Sequence, residues 1–85
     1  MRLFYFIFVS VEIAATKIWF DEERMFTLLT DGRVIDVPLN WFPRLLKAPQ
    51  NLREKYELWR SGKWIHWEEL NEDLSVEGIL NTPPR

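Results

Sequence analysis

The chain contains no cysteine, which excludes disulfide staples and thiolate metal sites and sets the expected compartment as a reducing cytoplasm. Its three glycines, at 32, 62 and 78, lie too far apart to form a phosphate-cradling loop. Positive charge is not in excess: eleven Lys and Arg stand against thirteen Asp and Glu, for a net charge of −2. Non-specific nucleic-acid binding rests on cationic side chains, so direct contact with nucleic acid is not expected. No long apolar run is present either. Residues 3–9 read Leu-Phe-Tyr-Phe-Ile-Phe-Val, but Ser10 and Glu12 interrupt the run far short of the roughly 20 residues a bilayer span needs. Neither a membrane span nor a secretory leader is expected.

What the chain has is aromatic mass: six Phe, five Trp and two Tyr in 85 residues. A chain of this length forms one domain and buries only about 60–65% of its unfolded surface. Each buried ring removes roughly 150–250 Å² from water, so a small core can stand without staples. The same surplus leaves rings over for an interface. The domain is read as residues 1–85, with a folded core over 11–80, an apolar strand over 1–10 and a tail over 81–85.

Residues 17–46 organise the rest. Asp31-Gly32 between apolar runs predicts a two-residue hairpin turn, pairing Thr30 with Arg33, Leu28 with Ile35 and Phe26 with Val37. Phe26, Leu28, Ile35 and Val37 would then share one buried face. A two-residue turn at Glu22-Glu23 sets Asp21 opposite Arg24 and Trp19 opposite Phe26, adding Trp19 to that face; without Gly or Asn in the turn, a four-residue loop fits equally well. Pro38 ends the ladder for want of an N–H. Asn40 is the expected N-cap of a helix over 41–46 with Pro43 in its first turn. Leu52, Tyr56 and Trp59 fall at i, i+4, i+7 and predict a second helix over 50–59, closed by Gly62. Trp64-Ile65-His66-Trp67 reads as a short strand, and Ser75 as the N-cap of a helix over 76–80. The expected class is α+β: a small antiparallel sheet of three to four strands with two or three short helices packed on it.

Taken together, Trp19-Phe20-Asp21-Glu22, Asp31-Gly32-Arg33, Val37-Pro38-Leu39, Trp41-Phe42-Pro43-Arg44-Leu45-Leu46, Ile65-His66-Trp67 and the run from Glu72 to Leu80 resemble the bacterial family called domain of unknown function 2442. The resemblance covers residues 11–80. It implies an α+β fold in short bacterial proteins, stand-alone or fused to a helix-turn-helix domain, with no established activity. Genes of such proteins often sit beside another small family, an arrangement similar to toxin–antitoxin pairs. Two positions depart from the pattern: Glu68 stands where many members have Pro, and Asn71 where Asp is usual.

His66, the sole histidine, could serve as a general base or a ligand oriented by Glu72 or Asp73. Without a nucleophile pattern or a second histidine it is read as structural, and the adjacent Glu72-Asp73 pair lacks ligand spacing. Arg33 and Arg44 could clamp an anion, yet salt bridges to Asp31, Asp36 or Glu72-Asp73 are the preferred reading. Trp41, Phe42, Trp59, Trp64 and Trp67, interleaved with Arg44, Arg60 and Lys63, could stack on bases, but Glu68, Glu69, Glu72 and Asp73 follow at once. Core packing is expected for most of them, and a protein partner for the remainder. The candidate partner or anion surface is therefore Arg33, Trp41, Arg44, Trp64, His66 and Trp67, with no catalytic, cofactor or metal residue assigned. The expected function is a non-enzymatic protein-binding module, with the regulatory or antitoxin-like member of a two-gene bacterial pair as its specific form. The alternative is an accessory domain of a nucleic-acid-binding regulator. Contact with a partner, or with a second copy as a homodimer, is expected through the edge strand over 3–9 and the Trp64–Trp67 region.

Overall fold

The computed structural model describes residues 13–81. The edge strand over 3–9, and with it any pairing through that strand, lies outside the described residues, as does the tail beyond 81. Strands β1 (Ala15–Phe20), β2 (Arg24–Leu29) and β3 (Val34–Pro38) form one antiparallel sheet in that order. A 3₁₀ turn (Leu39–Trp41) and helices α1 (Pro43–Lys47) and α2 (Gln50–Arg53) follow. Strands β4 (Glu57–Trp59), β5 (Trp64–Trp67) and β6 (Glu72–Ser75) form a second antiparallel sheet, and helix α3 (Val76–Leu80) closes the described chain. The molecule is α+β, with short helices on small antiparallel sheets.

Side-chain hydrogen bonds to the backbone set the turns. Asp21 Oδ1 accepts the Glu23 N–H at 2.8 Å and the Arg24 N–H at 2.7 Å, and these two donors hold its carboxyl below the usual carboxylate range. The β1–β2 register follows as expected, Trp19 opposite Phe26, with their rings stacked at 5.6 Å and 8°. At the next turn the Leu29 N–H donates to the Arg33 carbonyl and the Gly32 N–H to the Leu29 carbonyl. Gly32 has φ +92°. The loop therefore holds three residues, Thr30 to Gly32, closed by a glycine in the left-handed region.

That extra residue overturns the predicted register. Phe26 pairs with Asp36, Thr27 with Ile35 and Met25 with Val37. Residues directly opposite share a face, so a slip of one residue sends each side chain to the other side. Phe26 and Leu28 accordingly face away from Ile35 and Val37, and the single apolar row expected from the sequence does not form. Met25, Thr27 and Leu29 are buried instead, while Trp19, Phe26, Leu28 and Val34 line the outer face. The reason is legible in β2: Met25-Phe26-Thr27-Leu28-Leu29 is apolar on both sides, so its alternation has no phase.

The helix expected over 50–59 is also shorter. It stops at Arg53, and Tyr56 to Trp59 turn into β4 and its approach. Arg53 explains the break. Its guanidinium donates to the Leu45 carbonyl at 2.8 Å, which also accepts the Ala48 N–H, and to the Leu46 carbonyl at 2.9 Å, both in the last turn of α1. Its own carbonyl accepts the Trp67 indole N–H at 2.9 Å. Asn40 caps nothing: it lies inside the 3₁₀ turn, and α1 starts on Phe42 with Pro43 at its first position and no side-chain cap. Ser75 behaves as expected, its Oγ accepting the Gly78 N–H at 2.9 Å to start α3.

The core lies between the sheets, where Ile18, Met25, Leu29, Val37, Leu39, Leu45, Ile65, Trp67, Val76 and Ile79 pack together. Backbone bonds lock the sheets to one another at Ala15 N–H to the Gly62 carbonyl, and Ile18 donates its N–H to the Tyr56 hydroxyl at 3.1 Å. One core atom breaks the rule that buried polar groups are paired. The Thr27 hydroxyl, in a residue 1% exposed, finds no hydrogen-bond partner among the described residues. An unsatisfied buried hydroxyl costs about 1–3 kcal/mol. Thr27→Val keeps the shape and the β-branch, so urea denaturation is expected to show a gain of about 1 kcal/mol; a loss would mean that the hydroxyl is bonded.

Candidate functional site

Alternation along the second sheet separates two sets of side chains. Ile65 and Trp67 point into the core with Leu58 and Leu74 beside Ile65. The opposite side carries Trp59 and Trp64, direct register partners, followed by Ser75, and then Glu57, His66 and Asp73 in the next row. Trp59 is 44% and Trp64 40% exposed. The β4–β5 turn that aims them is tight, with Arg60, Ser61 and Gly62 all at positive φ.

Beside Trp64 the surface sinks into a cleft of about 430 Å³, lined by Ile13, Lys63, Trp64, Ser75, Val76, Glu77 and Leu80. Leu80 is 37% exposed, so two large apolar side chains in contact with solvent face one depression. The cleft lies at the small end of ligand-pocket volumes, roughly 300–1,000 Å³. Glu57, Glu68 and Asp73 lie near His66, and Glu77 lines the cleft together with Lys63.

His66 itself is buried. Its Nδ1 is bonded to Asp73 and its Nε2 to Glu68 at 2.8 Å, and the Trp59 ring stacks on its imidazole at 3.8 Å and 22°. The Asp73 bond, then the Glu68 bond, stabilises the charged ring and raises its pKa above the ordinary 6.5, against an opposing effect of burial. With both nitrogens engaged by carboxylates, the ring has no free edge for proton abstraction from a substrate. Among the described residues no group of three or more His, Asp or Glu side chains is placed to hold a metal ion.

The six residues singled out from sequence do not form one site. Trp64 and His66 share the outer face of the second sheet. Trp67, 1% exposed, lies on the inner face and belongs to the core. Trp41 is half-buried against that core. Arg33 sits in the β2–β3 turn of the other sheet and pairs with Asp31 at 2.8 Å. Arg44 donates to the Asn71 carbonyl and lies 3.7 Å from Glu72, which ties α1 to the β5–β6 turn. Asn71 takes φ +51° there, a conformation asparagine tolerates better than most residues. The sequence reading left Leu80, Val76 and Glu77 out of the site, and placed Trp59 on a helix. The packing of α3 brings Val76, Glu77 and Leu80 to Trp64, and the β4–β5 register brings Trp59. The one signal available was Ser75 as N-cap, which sets the phase of α3.

With that geometry in hand, comparison with known proteins places the chain. The family model described as a protein of unknown function, DUF2442, matches residues 15–83. The chain belongs to this family. The crystal structure of a protein of unknown function from Rhodospirillum rubrum ATCC 11170, at 2.75 Å resolution, is similar to this DUF2442 chain with a TM-score of 0.70 and 28% identity. The similarity covers 81% of this chain and 86% of that one. No curated protein matches the chain. Among the described residues of this DUF2442 protein, no helix is long and apolar enough to cross a membrane.

Proposed function

We propose that this DUF2442 chain is a non-enzymatic protein-binding module, acting in the bacterial cytoplasm as the regulatory or antitoxin-like member of a two-gene pair. One observation carries the reading: Trp64 and Leu80, each more than a third exposed, face one cleft, and the exposed Trp59 stands opposite Trp64 on the neighbouring strand. Tryptophan is enriched among the residues that carry most of the binding energy at interfaces. The partner it fits presents an apolar anchor to the cleft and basic side chains to the carboxylates at its margin. The same carboxylates disfavour a phosphate backbone, which weighs against the nucleic-acid alternative.

The test is co-expression with the product of the adjacent gene, followed by purification on one tag. Wild type is expected to retain that partner. Truncating a central anchor costs about 2 kcal/mol or more, roughly thirtyfold in Kd, so Trp64→Ala should lose the partner while keeping its thermal unfolding transition. If Trp64→Ala and Trp59→Ala both bind as wild type does, this face is not the binding surface.

A further inference from the structure

Among the described residues of this face, His66 has both hydrogen-bonding atoms and a ring face engaged. Asp73 holds Nδ1 from β6, Glu68 holds Nε2 from the end of its own strand, and Trp59 covers the ring from β4. Glu57, the register partner of His66 on β4, spends a carboxylate oxygen on the Trp59 indole N–H at 3.0 Å. Beyond Glu68, Glu69 is paired with Lys55 at 3.6 Å. Strand β4 is three residues long, and its two end residues are exposed. Little burial therefore fixes Trp59; the stack on His66 and the bond to Glu57 do.

We propose that the Trp59–His66 stack is a proton-held latch: charged His66 pins the Trp59 ring and sets the shape of the Trp59–Trp64 face, and loss of the proton releases it. Its consequence for a partner rests on the protein-binding reading above, whereas the latch itself is a property of the free protein. The chemistry is direct. An imidazolium has two N–H donors, and two carboxylates take both. Neutral imidazole has one, so one carboxylate then meets a ring lone pair. The cation–π component of the Trp59 stack disappears with the same proton. Because the two carboxylates raise the folded-state pKa above 6.5, the charged ring's contribution is complete below about pH 6.5 and is lost as pH rises through the higher folded value. The latch is closed below about pH 6.5 and opens as pH rises through the raised folded-state value.

His66 is the only histidine, so its ring gives a single set of NMR signals and needs no assignment. Its midpoint is expected above 6.5 in wild type and displaced downward in Asp73→Asn. A stacked imidazolium quenches indole emission. The difference in fluorescence between wild type and Trp59→Phe should therefore rise through the same midpoint, and that rise should vanish in His66→Gln. If His66→Gln fails to fold, the Asp73→Asn displacement carries the test. A wild-type midpoint at or below 6.5, or Trp59 emission that stays flat across the midpoint, overturns the latch. A latch seen in the free protein while Trp59→Ala and Trp64→Ala leave partner retention unchanged supports it and removes the binding reading alone.

Discussion

Trp67→Ala is expected to remove about 3–5 kcal/mol of stability, the usual cost of truncating a buried aromatic. Trp67 is 1% exposed, and its indole N–H satisfies the Arg53 carbonyl. That bond matters beyond its own strength, because Arg53 in turn closes the end of α1 through the carbonyls of Leu45 and Leu46. Domains of this size have a total stability of about 4–13 kcal/mol, so the variant should lie at the edge of unfolding at room temperature. Trp67→Phe separates the two contributions. It keeps most of the ring and strands the carbonyl, for about 1–3 kcal/mol. Trp64→Ala, on the opposite side of the same strand and 40% exposed, should lose far less. Urea midpoints of the three variants check the order. A Trp67→Ala variant as stable as Trp64→Ala would mean that the inner and outer faces of β5 have been exchanged.

The second large effect is expected at Gly62. Its φ is +87°, and a Cβ there would overlap the Ala15 carbonyl oxygen and press on Ala14 Cβ at 3.3 Å. The backbone conformation alone costs a residue with a side chain about 1–2 kcal/mol. The steric overlap adds to that, because the obstructing atom is backbone and cannot rotate away. It is also the place where the sheets join, through the Ala15 N–H to the Gly62 carbonyl. Gly62→Ala should therefore destabilise by more than 2 kcal/mol and loosen the junction. Amide exchange at Ala15 should accelerate more than exchange at Asp21, whose bond to the Arg24 carbonyl closes the turn at the opposite end of β1. Gly32→Ala is the control: φ is +92° but nothing lies within 4 Å of the added carbon, so only the conformational cost applies. Equal losses at both glycines would show that the close approach at Gly62 is not real.

How much could be read from the chain depends on the element. The Trp19–Phe26 pairing followed from Asp21, whose carboxylate closes its turn within three residues and involves nothing distant. Ser75 started α3 for the same local reason. The Asp31-Gly32 turn failed differently. Two-residue and three-residue loops both suit Asp-Gly, and the choice between them lies in which face of β2 the core takes. Met25-Phe26-Thr27-Leu28-Leu29 offers apolar residues to either side, so alternation had no vote. The Leu52, Tyr56, Trp59 stripe misled because a spacing of i, i+4, i+7 also occurs in a chain that turns into a strand. Arg53 ends the helix only by reaching the carbonyls of a separate helix, and no local signal records that reach. The expected surface was divided between two faces for a similar reason. Trp64 and Trp67 look alike in sequence, and strand alternation shows only that they lie on opposite faces.

The amino-acid sequence by itself determined the class of fold, the turn that Asp21 closes with its own side chain, the start of α3, and the family. Each rests on interactions between residues a few positions apart, or on composition. Which tryptophan became core and which became surface, how far β3 slid along β2, and where Leu80 met Trp64 were decided only in three dimensions. Those outcomes depend on which of two similar apolar faces finds the larger buried area, and that comparison exists only once both sheets are in place.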